Sequence, residues 1–119
     1  MLDNFRQFEV GPDPFGRMWQ VHFSWLQTAT SIRHADTVDV KFIIWSSDEP
    51  KQERVIALAH ASLLALSERT GHALTDAWCL KLGASHLKYM IESGEDLEKG
   101  LVTVGDPDLE RAAGILQPA

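Results

Sequence analysis

The stretch from Leu74 to Gly94 constrains the fold most, because it is the one long segment with a clear helical pattern and marks at both ends. Thr75 offers an oxygen to the free amides of a first helical turn, and Asp76 adds negative charge at the positive end of the helix dipole. Gly94 readily adopts the left-handed conformation that ends many helices. The sequence therefore predicts a helix over about residues 75–93.

This helix carries apolar residues on two sides. One stripe has the spacing of a face that packs on a core and consists of Ala77, Leu80, Ala84, Leu87 and Ile91. A second strip consists of Trp78, Leu82 and Tyr89. A sheet covers only one side of a helix, so the second strip needs another helix, a tail or another subunit. These three residues are therefore candidates for an oligomer interface.

The N-terminal half of the chain shows the alternation of β-strands. Residues 5–10 alternate weakly, and residues 17–27 alternate clearly. In the clear segment the core-facing set is Trp19, Val21, Phe23 and Trp25. His22 then faces solvent, and residues 28–32 continue the strand after a bulge.

Residues 38–45 repeat the pattern, with Val38, Val40, Phe42 and Ile44 inward. Ile43 and Trp45 consequently point outward, so the outer face of the sheet is not wholly polar. Ile43 joins the interface candidates for this reason.

The segment from residue 53 to 58 permits two interpretations. Val55 and Ile56 are β-branched and follow a turn cluster, which favours a returning strand. A helix from Pro50 to Thr70 is the alternative. Under either interpretation residues 62–70 are helical and end at Gly71.

The resulting fold class is α+β, with strands first and helices after. An antiparallel sheet of four to five strands, formed by an N-terminal meander, is packed on one face by two C-terminal helices. Residues 101–104 add an edge strand. We expect a single domain over residues 1–104 and a C-terminal tail over 105–119, in which Asp106-Pro107 opens a short helix.

Composition excludes several function classes. The net charge of -6, with 11 scattered basic residues, disfavours binding to phosphate backbones, so no nucleic-acid partner is expected. No apolar run approaches the length of a membrane span. The single cysteine, Cys79, allows no intrachain disulfide. These features predict a soluble, cytoplasmic protein without a membrane partner.

Metal binding and nucleophilic catalysis have weak support. Cys79 and His86 share a side of the long helix, but they lie about 10 Å apart along its axis, too far to bind one zinc ion. No serine stands in a GxSxG elbow. The sequence thus predicts no metal, no cofactor and no catalytic residue.

The best polar cluster consists of His34 and Asp36 at the end of a strand, with His22 on the wet face of the adjoining one. A turn bond from Asp36 and a solvent-exposed histidine explain the same residues without a ligand. Trp25 and Trp45 could help to wall an apolar pocket between sheet and helix, or belong to the core.

Two functions follow from these observations. The leading hypothesis is a noncatalytic, self-associating domain with a structural or regulatory role, because surplus apolar surface occurs without catalytic motifs; a homodimer is the expected state. The alternative is a small-molecule binder or small enzyme with an aromatic pocket between sheet and helix. His22, His34 and Asp36 would then lie at the pocket mouth, and a convergent cavity would distinguish the two.

Overall fold

The structure is a computed structural model that describes residues 4–29 and 36–116. Within these residues the elements follow in the order β1 (Gln7–Val10), β2 (Trp19–Ala29), β3 (Thr37–Trp45), β4 (Gln52–Ala59), α1 (His60–Thr70), α2 (Asp76–Ser93), β5 (Leu101–Val104) and α3 (Asp106–Leu116). The α+β class is confirmed.

The strands form one sheet in the order β1-β2-β3-β4-β5. The first four are an antiparallel meander, whereas β5 runs parallel to β4. The sheet is therefore mixed rather than purely antiparallel. Parallel neighbours need a crossover connection, and α1 and α2 supply it. The strand interpretation of residues 53–58 is confirmed, since α1 begins directly where β4 ends.

The core lies between the sheet and α2. The inner face of the sheet contributes buried residues that alternate along each strand, such as Val21, Val40, Phe42, Ile44, Ile56 and Leu58. Gly83 lets α2 approach β3 closely, because a Cβ added there would lie 3.2 Å from the Cβ of Val40. The predicted helix ends are confirmed: the Thr75 side chain accepts from the Trp78 amide, and Gly94 has φ 76.

A β-bulge in β2 overturns one predicted side-chain direction. The register with β3 shifts between Phe23, which pairs with Phe42, and Trp25, which pairs with Lys41. The extra residue reverses the alternation, so Trp25 lies on the outer face and not toward the central helix. The predicted inward direction of Trp25 is wrong, and the predicted outward direction of His22 holds, since His22 pairs with Ile43.

The second apolar strip of α2 is covered inside the chain. Helix α3 packs on α2 and α1, and Leu109, Ala112 and Ala113 are buried. Trp78 is 2% exposed and Leu82 is 0% exposed, so neither offers surface to a second subunit. Their selection as interface residues is wrong, because the segment expected as a tail supplies the third helix.

Tyr89, the third residue of that strip, stays half-buried under α3. The guanidinium carbon of Arg111 lies 3.6 Å from the centroid of its ring. The face of the Tyr89 ring is therefore already in contact with α3 of the same chain. This contact also shows how α3 is held against α2 by a cation over an aromatic face.

Candidate functional site

The outer face of the sheet brings together four of the residues singled out from the sequence. The register pairs Gln20 with Trp45, His22 with Ile43, and Trp25 with Lys41. All three helices share the core on the opposite face. His22, Trp25, Ile43 and Trp45 thus form one surface, and they cannot wall a pocket between sheet and helix as the alternative hypothesis required.

This surface continues across β4 to β5. Lys41 pairs with Val55, and Val55 pairs with Leu101, which is 56% exposed on the edge strand. We define the outer-face patch as Trp25, Ile43, Trp45, Val55 and Leu101. Within residues 4–29 and 36–116 no helix or strand lies over it. The patch is an apolar area that extends from β2 to the edge strand β5.

Cations partly cover the two tryptophans of the patch. The Nζ of Lys41 lies 5.5 Å from the centroid of the Trp25 ring, and the Nζ of Lys51 lies 4.9 Å from that of Trp45. His22 packs edge-on against Trp45 with ring centroids 4.6 Å apart. Lys41 also pairs with Glu53, with a nitrogen–oxygen distance of 2.6 Å. The cation over Trp25 is therefore also neutralised by a carboxylate.

Two members of the predicted polar cluster, His22 and Asp36, are not brought together. Asp36 is exposed, and its backbone oxygen accepts from the His60 amide at 2.9 Å. His22 pairs with Ile43, seven positions further along the chain than Asp36, which is roughly 23 Å at the rise of an extended strand. His34 lies outside the described residues.

A polar pocket that the sequence did not reveal opens at one end of the sheet–helix layer. It has a volume of about 270 Å³ and lies between the β1–β2 loop, the β3–β4 turn and the segment after α2. Its walls consist of Pro14, Phe15, Arg17, Trp19, Glu49, Gln52, Arg54, Gly94, Leu97 and Glu98. Two guanidinium groups therefore line one small cavity.

A buried carboxylate organises the loop beside this pocket. Oδ1 of Asp13 accepts from the backbone amides of Phe15 and Arg17, each at 2.9 Å. Oδ2 accepts from Arg17 Nε at 2.7 Å and from the Trp19 indole at 2.9 Å. Burial by itself raises the pKa of Asp13, but these hydrogen bonds from Trp19, Arg17 and Phe15 outweigh it and hold the pKa well below the usual range.

The sequence alone could predict only the local part of this hydrogen-bond network. Asp13 stands in a run of turn residues, where an aspartate commonly bonds to the amide two residues on. Its bond to Trp19 depends on where β2 begins, and sequence alone does not set that position. Arg17 is anchored by the same loop and reaches Glu49 across the pocket rim at 3.0 Å.

Other reactive groups are inert or scattered. Cys79 is buried, and burial together with the nearby charge of Asp76 raises the pKa of its thiol to about 11. In the described part of the chain, no three His, Cys, Asp or Glu side chains are grouped so as to hold a metal ion. The helices described there include none with the length and apolar character to cross a membrane.

Comparisons with known protein families, with curated proteins and with solved structures return no match to this chain.

Proposed function

We propose that this protein is a noncatalytic domain that self-associates through the outer face of its sheet, in a structural or regulatory role. The observation that supports this function is the outer-face patch. Trp25, Ile43, Trp45, Val55 and Leu101 gather on the side of the sheet opposite the helices. An apolar area of this kind usually marks an interaction surface.

A second copy of the chain is the partner that this surface suits. Two-fold association buries one patch against its own copy, which is the commonest arrangement in homo-oligomers. Around the patch Lys41 is paired with Glu53, and Lys51 lies over Trp45. Close approach of two such faces therefore does not bury the charge of Lys41 without its partner Glu53.

The experiment is size-exclusion chromatography with light scattering on the wild type and on a variant carrying I43E and L101E. We expect the wild type at micromolar concentration to have twice the 13.3 kDa mass of one chain. The variant should have the mass of one chain, because two carboxylates would have to be desolvated in the interface.

The matched control is L64E, which places the same charge on α1. Leu64 is an exposed apolar residue like Leu101, but it lies on the helical side of the molecule. We expect L64E to remain dimeric. A wild type that stays at the mass of one chain on concentration contradicts the proposal, and dissociation of L64E alone would move the interface to the helices.

A further inference from the structure

The polar pocket contains a buried positive charge to which no carboxylate of the described residues is directly bonded. Arg54 points from the inner face of β4 into the pocket wall and is only 6% exposed. Its Nε donates to the Leu97 carbonyl, one terminal nitrogen to the Glu53 carbonyl and the other to Oε1 of Gln52, each at 2.8 Å. All of these acceptors are neutral.

The contrast with Arg17 shows what Arg54 lacks. Arg17 bonds to the carboxylates of Asp13 and Glu49. Among the residues that the structure describes, no carboxylate oxygen lies within 4.0 Å of an Arg54 nitrogen. A guanidinium group has five N–H donors, so donors of Arg54 remain beyond the three bonds that it makes. A buried charge is costly unless an opposite charge accompanies it.

The remaining walls indicate the kind of anion that would fit. Pro14, Phe15, Trp19 and Leu97 supply apolar surface. Glu49 and Glu98 stand at the same pocket, and their negative charges disfavour a multiply charged anion such as phosphate. A carboxylate carries one charge and matches the planar guanidinium with two parallel hydrogen bonds.

We propose that this pocket binds the carboxylate of a small organic acid, with Arg54 as the anion-binding group and the walls formed by Phe15, Trp19 and Leu97 around its apolar body. The volume of about 270 Å³ limits the ligand to a small molecule or the last residue of a peptide. The site lies apart from the outer-face patch, so it does not depend on self-association.

The test is an NMR titration of ¹⁵N-labelled protein with benzoate, with benzamide as the neutral isostere and inorganic phosphate as the competing anion. We expect benzoate to shift the Trp19 indole and Leu97 amide signals saturably. Benzamide and phosphate should bind at least about tenfold more weakly, because benzamide lacks the charge and phosphate lacks an apolar body to contact the walls. An N-acetylated dipeptide with a free carboxyl terminus, compared with its amide, distinguishes a chain terminus from a free acid as the source.

Two variants change the pocket charge in opposite directions. R54Q should weaken benzoate binding at least about tenfold. E98Q should tighten it about two- to fivefold, because the carboxylate of Glu98 acts on Arg54 through space and is exposed, so that its loss leaves the fold intact. If R54Q does not fold, E98Q still decides the matter. Absence of saturable shifts, equal binding of benzamide, preferred binding of phosphate, or unchanged or weaker binding to E98Q would each overturn the proposal.

Discussion

Asp13 shows how one residue converts a loop into a fixed structure. Its carboxylate accepts hydrogen bonds from two backbone amides, from the Arg17 guanidinium and from the Trp19 indole. These donors belong to the loop and to the first residue of β2, so the carboxylate fixes where the strand begins. A buried charge with this many donors stabilises the fold only while it is ionised.

We therefore expect D13N to lower the free energy of unfolding by about 2–4 kcal/mol at pH 7, because an amide removes the charge and brings an N–H toward existing donors. The folded-state pKa of Asp13 is lowered, whereas the unfolded value is about 3.9. The stabilisation is thus present above about pH 4 and declines as the pH falls below it.

Urea unfolding of the wild type and D13N at pH 7, 5 and 3 measures this effect. The difference between the two proteins should narrow between pH 5 and pH 3. The control is D48N in the exposed β3–β4 turn, which should change stability by less than about 0.5 kcal/mol. A D13N difference that is independent of pH would show that the hydrogen bonds do not depend on the charge.

At the scale of elements, α3 and the β2 bulge account for the main departures from the sequence-based expectations. The α3 segment has few apolar residues, and the sequence predicts a short helix within a tail there, outside the packed core. In the fold, α3 packs against α1 and α2, and Leu109 of α3 is only 1% exposed. The bulge moves Trp25 from the core to the outer face, next to Lys41. Both features depend on neighbours distant in sequence.

If α3 is part of the core, L109A should lower the free energy of unfolding by about 2–5 kcal/mol, as for other buried leucines. The matched control is L64A on α1, where the side chain is 45% exposed, and its cost should be under about 1 kcal/mol. Thermal or urea melts of both variants measure the difference. Equal small losses for the two would mean that α3 is not required for the packed core.

At the scale of the whole molecule, net charge and apolar surface have opposite effects on the proposed self-association. Each copy carries a net charge of -6, which repels a second copy at low ionic strength. The outer-face patch is apolar, and Lys41 beside it is paired with Glu53. Because salt screens long-range repulsion and does not weaken apolar contact, we expect the dimer to become tighter from about 20 to 300 mM NaCl.

Sedimentation velocity across that salt range measures the dissociation constant. The variant carrying I43E and L101E serves as the control and should remain a monomer at every salt concentration. Dissociation of the wild type on adding salt would instead indicate an interface held by ion pairs, because screening weakens those contacts.

The sequence by itself determined the features that arise from local periodicity and local caps. The α2 limits follow from Thr75 and Gly94, and the inward set of β3 follows from alternation over a regular strand. The α+β class follows from the same patterns, because a residue's helix or strand periodicity is visible in its near neighbours. At residues 53–58 these patterns favour a strand but leave a helix open, and pairing with β3 and β5 decides for the strand.

Only the tertiary structure decided which surfaces are covered and which charges meet. Trp78 and Leu82 are buried within the chain, where α3 packs on α2 and the His72 ring stacks on Trp78. Trp25 lies outward because a single extra residue reverses the pleat. Arg54 and Arg17 line one pocket because the β1–β2 loop, β4 and the segment after α2 converge. Such convergence depends on contacts between residues far apart in the chain, which no local pattern encodes.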